Sequence, residues 1–301
     1  MEGSISNPRD KGESPRFWAE LLIVLQSIVY GFGDPVSKIA FETVPVFSMM
    51  SIRYSIAFLV CLIFFRKRIT ETLRTAPIRS WLLPGMCMGL CYLLNNVALS
   101  MTDATSVAFL RSLSVVITPA FASLIFKKKL RWQHLLIQFL VLPGIYMLCV
   151  RGGLSGFGLG EAVTIIAATC MAGALTFSGR YLEKVDVISM TALQAGCSAL
   201  LAIAGSFIFE RGIEIQNQPA KVWLIILYLA IICTFLGYLM QNLALTKISE
   251  SSVAMLQSLC PVMTAFFSFL ILGEKLSIVG MAGGAIIILC VIAKNLIHEN
   301  A

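Results

Sequence analysis

The chain has 301 residues, of which 58% are apolar and 13% charged, and its mean hydropathy is +0.86. Soluble domains contain about 45–50% apolar and about 25% charged residues, so the composition excludes a soluble globular domain, a disordered chain and a collagen-like protein. The formal net charge is +7. Because the basic residues lie in short segments between long apolar runs, we expect no nucleic-acid partner.

Apolar segments of about 20 residues recur along the whole chain, which is the length that an α-helix needs to cross a bilayer. In chain order they cover residues 17–41, 45–65, 81–101, 104–126, 132–150, 160–181, 187–209, 221–245, 251–272 and 277–294. The sequence therefore predicts an all-α integral membrane protein with ten transmembrane helices.

The distribution of basic residues predicts the orientation. If the N-terminus is cytoplasmic, the inner segments carry 16 Lys and Arg and the outer segments carry 4, and such an excess is typical of cytoplasmic loops. We therefore expect a cell (plasma or inner) membrane protein that crosses the bilayer many times. Residues 1–16 and 295–301 are then a cytoplasmic N-terminal segment and a cytoplasmic tail.

An internal repeat divides the chain into two halves. Residues 96–130 align with residues 242–276 at an offset of 146, without a gap and with about 16 of 35 positions identical. The halves are 17–150 and 160–294, joined by a glycine-rich linker, 151–159. Each half holds five predicted spans, an odd number, so the second half is expected to be inverted. Inverted repeats are typical of alternating-access transporters.

Several short strings carry a resemblance to a known family. In the second half they are NLAL at 242–245, SSVA at 251–254, LCPV at 259–262 and LGEKL at 272–276; in the first half they are Tyr30-Gly31 followed by Lys38, and Pro45 with Arg53. The chain resembles the EamA-type family of the drug/metabolite transporter superfamily. The resemblance implies ten helices in two inverted five-helix repeats and a metabolite carrier, without naming the solute.

Four ionisable residues lie inside predicted spans: Asp34, Lys38, Arg53 and Arg111. Each costs roughly 2.5–3.5 kcal/mol on insertion scales, so each should face protein or water. One interpretation is an Asp34–Lys38 pair, a structural Arg53 and an Arg111 that extends toward the membrane surface. The other is that Arg111, together with Lys38, binds an anionic solute group. Asp34 is either a coupling proton carrier or a charge partner of Lys38 or Arg111.

Polar and aromatic residues complete the predicted site. Tyr92 and Tyr238 are equivalent in the repeat and could stack on a solute or simply pack in the core, and Gln257 is the repeat counterpart of Arg111. The predicted solute-binding residues are Arg111, Lys38, Asn95, Asn96, Tyr92, Tyr238, Gln241, Gln257 and Ser178. The predicted kink and gating residues are Pro35, Pro119 and Pro261, because proline interrupts helix hydrogen bonding.

The sequence predicts no catalytic residue, metal site or cofactor, because it has no catalytic motif and no metal-ligand spacing. We expect a secondary transporter that exports a small polar metabolite, such as an amino acid or organic anion; the direction rests on family analogy. The alternative is a non-transporting membrane sensor or scaffold with the same fold. Gly280 and Gly284 have the spacing of a helix-packing motif and leave a homodimer possible.

Overall fold

The computed structural model describes residues 13–102, 104–127, 132–149, 158–213, 218–273 and 278–299, and all regular elements in these ranges are helices. They are α1 (Glu13–Phe41), α2 (Val46–Thr75), α3 (Ile78–Met101), α4 (Ala104–Arg111), α5 (Ser114–Phe126), α6 (Trp132–Cys149), α7 (Leu159–Tyr181), α8 (Val187–Phe209), α9 (Ala220–Tyr228), a π-helical segment (Leu229–Leu236), α10 (Gly237–Leu245), α11 (Glu250–Gln257), α12 (Cys260–Leu272) and α13 (Ile278–Glu299). The linker positions 151–157, most of the lysine triplet and the Glu274-Lys275 turn lie outside the described residues.

Seven helical stretches in the described ranges are long and apolar enough to cross a membrane. They are Pro15–Phe41, Val46–Thr75, Ile78–Met101, Leu159–Tyr181, Val187–Phe209, Ala220–Leu245 and Glu250–Leu272. Three shorter apolar helices accompany them, Ser114–Phe126, Gln138–Met147 and Ile278–Ala293. Large apolar side chains such as Ile63, Leu200 and Leu224 are about 70% exposed, as lipid-facing residues are in a multi-pass membrane protein. The count of ten spans stays a prediction.

The predicted spans 104–126 and 251–272 are each broken at the same point of the repeat. The breaks fall at Ser112–Leu113 and Ser258–Leu259, 146 residues apart. At each break the backbone tightens into i→i−3 hydrogen bonds, 3.2 Å from the Leu113 amide and 3.1 Å from the Leu259 amide. The helices that follow the two breaks, α5 and α12, also end 146 residues apart. Their last residues are followed by left-handed Lys127 (φ 52°) and Gly273 (φ 68°).

The breaks do not coincide with the prolines that suggested them. Pro119 lies inside α5, beyond the first break, and α1 is helical through Pro35. Pro261 follows the second break directly, at the start of α12, where the missing amide hydrogen costs no helix hydrogen bond. The gating role of the three prolines stays a prediction.

Two other predicted spans differ in detail from the structure. The α2 helix continues ten residues past the predicted end, to Thr75, with a non-helical backbone at Phe65 (φ −127°, ψ 21°). Hydropathy cannot detect this extension because its residues are largely basic and polar. Inside predicted span 221–245, the π-helical segment lets the Thr234 hydroxyl donate to the Leu229 carbonyl five residues earlier, at 2.9 Å. Such π-helical turns occur frequently at functional sites.

Helix packing follows the repeat. The first half packs on the second through α2 with α8, α6 with α13, α3 with α7 and α8, α1 with α10 and α12, and α5 with α7. At the offset of 146, the counterparts are α1 and α7, α2 and α8, α5 and α12, and α3 and the π-helical segment with α10. Replacing each helix by its counterpart turns the contact α1–α12 into α7–α5 and the contact α3–α7 into α10–α1. It turns the contact α3–α8 into that of the π-helical segment with α2. This exchange is expected for two halves related by a two-fold axis. The inverted orientation stays a prediction.

The antiparallel pair α2–α8 is bound at both ends. At one end, the Glu210 carboxylate accepts the Phe47 and Ser48 backbone N–H groups, both at 2.7 Å, and so caps α2. At the other end, Asp186 caps α8 by accepting the Ser189 backbone N–H and lies 3.6 Å from Arg68 of α2. These contacts hold one helix of each half in a defined register.

Candidate functional site

Two small polar cavities lie side by side in the protein interior. The helix-break cavity, about 30 Å³, is lined by Ser27, Tyr30, Tyr92, Arg111, Ser112, Ser114, Val115, Met171, Ala254, Gln257, Ser258 and Cys260. The Arg53 cavity, about 20 Å³, is lined by Tyr30, Gly33, Asp34, Ser37, Arg53, Tyr92, Asn95, Asn96, Arg111, Leu229 and Cys233. Tyr30, Tyr92 and Arg111 belong to both and separate them. Each cavity has room for about one or two water molecules, so this conformation is closed around its polar centre.

A buried ion pair joins α1 to α4. Arg111 Nη2 lies 2.9 Å from Asp34 Oδ2, and the side chains are 10% and 19% exposed. Thr264 of α12 donates its hydroxyl to the same carboxylate oxygen at 3.1 Å, and Arg111 Nη2 also lies 3.2 Å from Cys260 Sγ. Asp34 therefore pairs with Arg111 and not with Lys38, and the pair connects the first half of the chain to the second.

Arg53 is a second buried guanidinium, only 6% exposed, with a different environment. Its Nε donates to Thr234 Oγ1 at 2.8 Å, and its Cζ lies 5.3 Å from the ring centroid of Tyr54. Within the described residues no carboxylate forms an ion pair with it. The positive charge of Arg53 is thus balanced only by a hydroxyl dipole and an aromatic face.

Three tyrosine rings, those of Tyr30, Tyr92 and Tyr238, pack against one another in edge-to-face and tilted arrangements. The ring centroids of Tyr30 and Tyr92 are 5.8 Å apart at 73°, and those of Tyr92 and Tyr238 are 5.5 Å apart at 31°. Among the described residues, the buried hydroxyls of Tyr54, Tyr92 and Tyr238 and the amide oxygen of Asn95 make no hydrogen bond. Buried polar atoms normally have partners, and of these four residues Tyr92 and Asn95 line a cavity, where water or a solute can supply one.

A neutral network occupies the repeat position opposite the ion pair. Gln257, the counterpart of Arg111, donates from Nε2 to Gln26 Oε1 at 3.0 Å and to Gln241 Oε1 at 2.8 Å. Gln26 in turn donates to the Gly237 carbonyl at 2.7 Å and to the Tyr30 hydroxyl at 3.3 Å. A Cβ on Gly237 would lie 2.7 Å from Tyr30 Oη, so only glycine allows this approach. The site is therefore charged on one side and neutral on the other.

The structure brings most of the predicted site residues together. Those that line a cavity are Asp34, Tyr92, Asn95, Asn96, Arg111 and Gln257. Tyr238 and Gln241 stand behind them, in contact with Tyr92 and Gln257.

The predicted residues Lys38 and Ser178 line neither cavity, and the three prolines do not either. Because helix positions advance by about 100° per residue, Lys38 lies about 80° around α1 from Tyr30, whereas Asp34 lies about 40° away. The Ser178 hydroxyl accepts from Gln194 at 2.9 Å, and Gln194 accepts from Asn242 at 2.7 Å. This second polar network is buried between α7, α8 and α10, and the amide oxygen of Asn242 in it has no hydrogen-bond partner among the described residues.

Sequence reasoning missed Gln26, Ser27, Thr234 and Met171. A signal existed for the first two, because polar residues at 26, 27, 30, 34 and 37 share one face of α1. The roles of Thr234 and Met171 depend on distant helices, and no local pattern distinguishes them. The described part of the chain contains no group of three His, Cys, Asp or Glu residues that could hold a metal ion.

Comparisons with known proteins agree with this architecture. Residues 17–150 and 158–295 match the EamA-like transporter family. Two proteins of Archaeoglobus fulgidus, each described as an uncharacterized transporter, are 26% and 24% identical over 93% and 89% of this chain and 87% and 94% of their own lengths. The uncharacterized transporter YoaV of Bacillus subtilis is 23% identical over 91% of this chain and 94% of its own. A protein of known crystal structure shares the fold with a TM-score of 0.77, at 17% identity, over 96% of this chain and 99% of that one.

Proposed function

The chain belongs to the EamA-like transporter family, and from this premise we propose a secondary transporter that moves a small polar metabolite, such as an amino acid or organic anion, across the cell membrane by alternating access. The observation that carries the proposal is the helix-break cavity, which is lined by both equivalent helix breaks, one from each half, and which lies beside the Arg53 cavity. Discontinuous helices in corresponding positions of two halves are typical of transporter binding sites. Export is the proposed direction, by analogy with the family alone.

The proposed topology has ten spans in two inverted halves, 17–150 and 160–294, with both termini cytoplasmic. The contact exchange between counterpart helices and the breaks at a constant offset of 146 support it. Cysteine substitution at Lys127 and at Lys275 in a background without the native cysteines tests it directly. A membrane-impermeant thiol reagent should label the two positions from opposite sides of the membrane. Labelling of both positions from one side would contradict the inverted arrangement.

Opening of the site is proposed to occur at the breaks. Tyr30, Tyr92 and Arg111 separate the two cavities, and each break lies beside this wall. Rotation of α4 against α5, or of α11 against α12, would widen the helix-break cavity, because both breaks line it. The solute would then contact Arg111, Asn95, Asn96, Tyr92 and Gln257 in turn.

Coupling is proposed to act through the Asp34–Arg111 pair. Protonation of Asp34 removes the negative charge that holds Arg111 at 2.9 Å, and the guanidinium is then free to move between the two cavities that it lines. Proton binding and solute binding at neighbouring positions would depend on each other, as two ligands of one equilibrium do. An Asp34→Asn variant cannot make this change and is expected to exchange solute without responding to a pH gradient.

Counterflow in proteoliposomes tests the function. Purified protein should accelerate the exchange of at least one class among amino acids, organic acids, nucleosides and cationic drugs, and a pH gradient should drive net flux in the wild type but not in Asp34→Asn. Thermal stabilisation by the same solutes selects the class to assay first. If a solute stabilises the protein but no solute exchanges, the chain is a membrane sensor or scaffold and the transporter proposal is wrong.

A further inference from the structure

We infer that Arg53, and not Arg111, is the residue that recognises the solute, and that the solute is a monocarboxylate with a hydroxyl group next to its carboxylate. The inference deepens the proposed function and depends on it. It follows from the difference between the two arginines, from the charge of the Arg53 cavity and from the unpaired acceptor in its wall.

The two arginines differ in their counter-charge. Arg111 already faces the Asp34 carboxylate at 2.9 Å, so its charge is balanced within the protein. Arg53 is equally buried, and within the described residues its contacts are the neutral Thr234 hydroxyl and the face of the Tyr54 ring. A buried charge without an opposite charge is costly. Water can accept its hydrogen bonds but cannot neutralise it, and no described carboxylate forms an ion pair with it, so an anionic solute would complete the site.

The geometry leaves the binding end of Arg53 available. A guanidinium has five N–H donors, and among the described contacts only the Nε donor of Arg53 is used. The Thr234 hydroxyl donates to the Leu229 carbonyl at 2.9 Å and therefore presents an oxygen lone pair to Arg53. The π-helical segment thus positions the guanidinium by its Nε. The terminal nitrogens, which bind carboxylates through two parallel hydrogen bonds, remain free beside the Arg53 cavity.

The net charge of the Arg53 cavity favours a solute that carries a single negative charge. Its charged lining residues are Arg53, Arg111 and Asp34, which together carry one net positive charge. A monoanion makes the occupied site neutral. A zwitterionic amino acid leaves the excess positive charge, and its ammonium group would face two guanidinium groups and one carboxylate, Asp34, which is already paired with Arg111. The net interaction of the ammonium group with these charges is therefore repulsive in a medium of low dielectric constant.

An unpaired acceptor in the same wall indicates the second group of the solute. Asn95 lines the Arg53 cavity, is 2% exposed, and its amide oxygen has no hydrogen-bond partner within the described ranges. A buried acceptor without a donor is costly, so the solute is expected to supply an N–H or O–H donor. With the ammonium disfavoured by charge, a hydroxyl next to the carboxylate satisfies both Arg53 and Asn95.

The test measures the discrimination between an acid and its neutral amide. Binding to the purified protein is followed by thermal shift and by counterflow with 2-hydroxy monocarboxylates of two to six carbons, their amides, their 2-amino analogues and their deoxy analogues. The wild type should prefer at least one hydroxy acid over its amide by 100-fold or more, and over the amino and deoxy analogues by about 10-fold. In Arg53→Gln the acid-to-amide preference should fall to within about 3-fold, and Arg53→Lys should retain part of it.

Three further variants separate recognition from folding. Lys38→Gln removes a positive charge outside the cavities and should leave the acid-to-amide preference unchanged. Arg111→Gln removes the net positive charge of the Arg53 cavity and should weaken acid binding and change the response to pH, but unlike Arg53→Gln it should retain part of the acid-to-amide preference, because the Arg53 guanidinium is still present. If Arg53→Gln does not fold, Thr234→Val replaces it, because loss of the Nε acceptor should lower the preference for the acid by about 3- to 10-fold through misplacement of Arg53.

The outcomes distinguish this inference from the proposed function. Counterflow of a cation or a nucleoside with no binding of any hydroxy acid overturns the inference and leaves the transporter intact. An unchanged acid-to-amide preference in Arg53→Gln, or equal binding of acid and amide by the wild type, overturns it as well. Absence of counterflow for every solute, with hydroxy-acid binding retained, overturns the transporter proposal instead.

Discussion

Removal of Arg111 should destabilise the protein through the carboxylate that remains. In Arg111→Gln, Asp34 keeps only the Thr264 hydroxyl at 3.1 Å as a described partner. Breaking a buried ion pair by removing one partner costs about 3–5 kcal/mol. Because the Asp34 and Arg111 side chains are 19% and 10% exposed, water reaches the site and we expect a smaller cost than for a fully buried pair, about 2–3 kcal/mol. For a chain of this size that corresponds to a fall in Tm of about 4–9 °C.

A double-mutant cycle separates the free energy of the lost ion pair from the cost of the charge that remains without a partner. Asp34→Asn leaves Arg111 without its counter-charge and should cost about 2 kcal/mol, whereas Asp34→Asn with Arg111→Gln leaves no charge at all. The double variant should therefore be more stable than the sum of the single effects predicts, by about 1–3 kcal/mol. A coupling energy below about 0.5 kcal/mol would show that the two side chains do not interact in the folded protein.

The assay is thermal unfolding of the purified protein in one detergent, at neutral pH and two salt concentrations. The control is Arg180→Gln, which breaks an exposed pair with Glu183 (3.5 Å, 53% and 55% exposed) and should shift the free energy of unfolding by less than about 0.5 kcal/mol. Equal effects of Arg111→Gln and Arg180→Gln would refute the reasoning, because burial is what makes the first pair costly to break.

Two further stability predictions concern helix contacts. Gly31→Ala should cost about 1–3 kcal/mol, because its Cβ would clash with Met263 Cβ and force α1 away from α12. Its control is Gly179→Ala, whose Cβ meets its neighbours at 3.6–3.8 Å and which should be neutral or stabilising. Similar Tm values for both variants would contradict the packing. Glu210→Gln should cost about 1–2 kcal/mol, since the cap of α2 loses its charge and one of two 2.7 Å hydrogen bonds. The substitution Glu42→Gln, at an exposed residue, is the control. Equal melting curves for these two variants would contradict the role of Glu210 as the cap of α2.

Composition and periodicity were sufficient for the class of protein. Long apolar runs can only be buried in lipid, so a multi-pass helical membrane protein follows from residue order alone. The sequence predicted two continuous spans, 104–126 and 251–272, with kinks at Pro119 and Pro261, whereas the structure interrupts both at Ser112 and Ser258; the offset of 146 accounts only for the equivalence of the two breaks, since similar local sequences favour similar turns. Predicted helix ends were wrong where a helix continues beyond its apolar part, as α2 does to Thr75. Hydropathy does not detect such an extension.

The pairing of charges was decided only by the tertiary structure. Spacing along α1 suggested Lys38 as a partner of Asp34, but the carboxylate meets Arg111, 77 residues away, and Thr264, 230 residues away. The acceptor of Arg53 lies 181 residues away on a π-helical segment that no periodicity indicates. Sequence determines which side chains are too polar for lipid, whereas the packing of distant helices determines which of them neutralise each other and which remain for a solute.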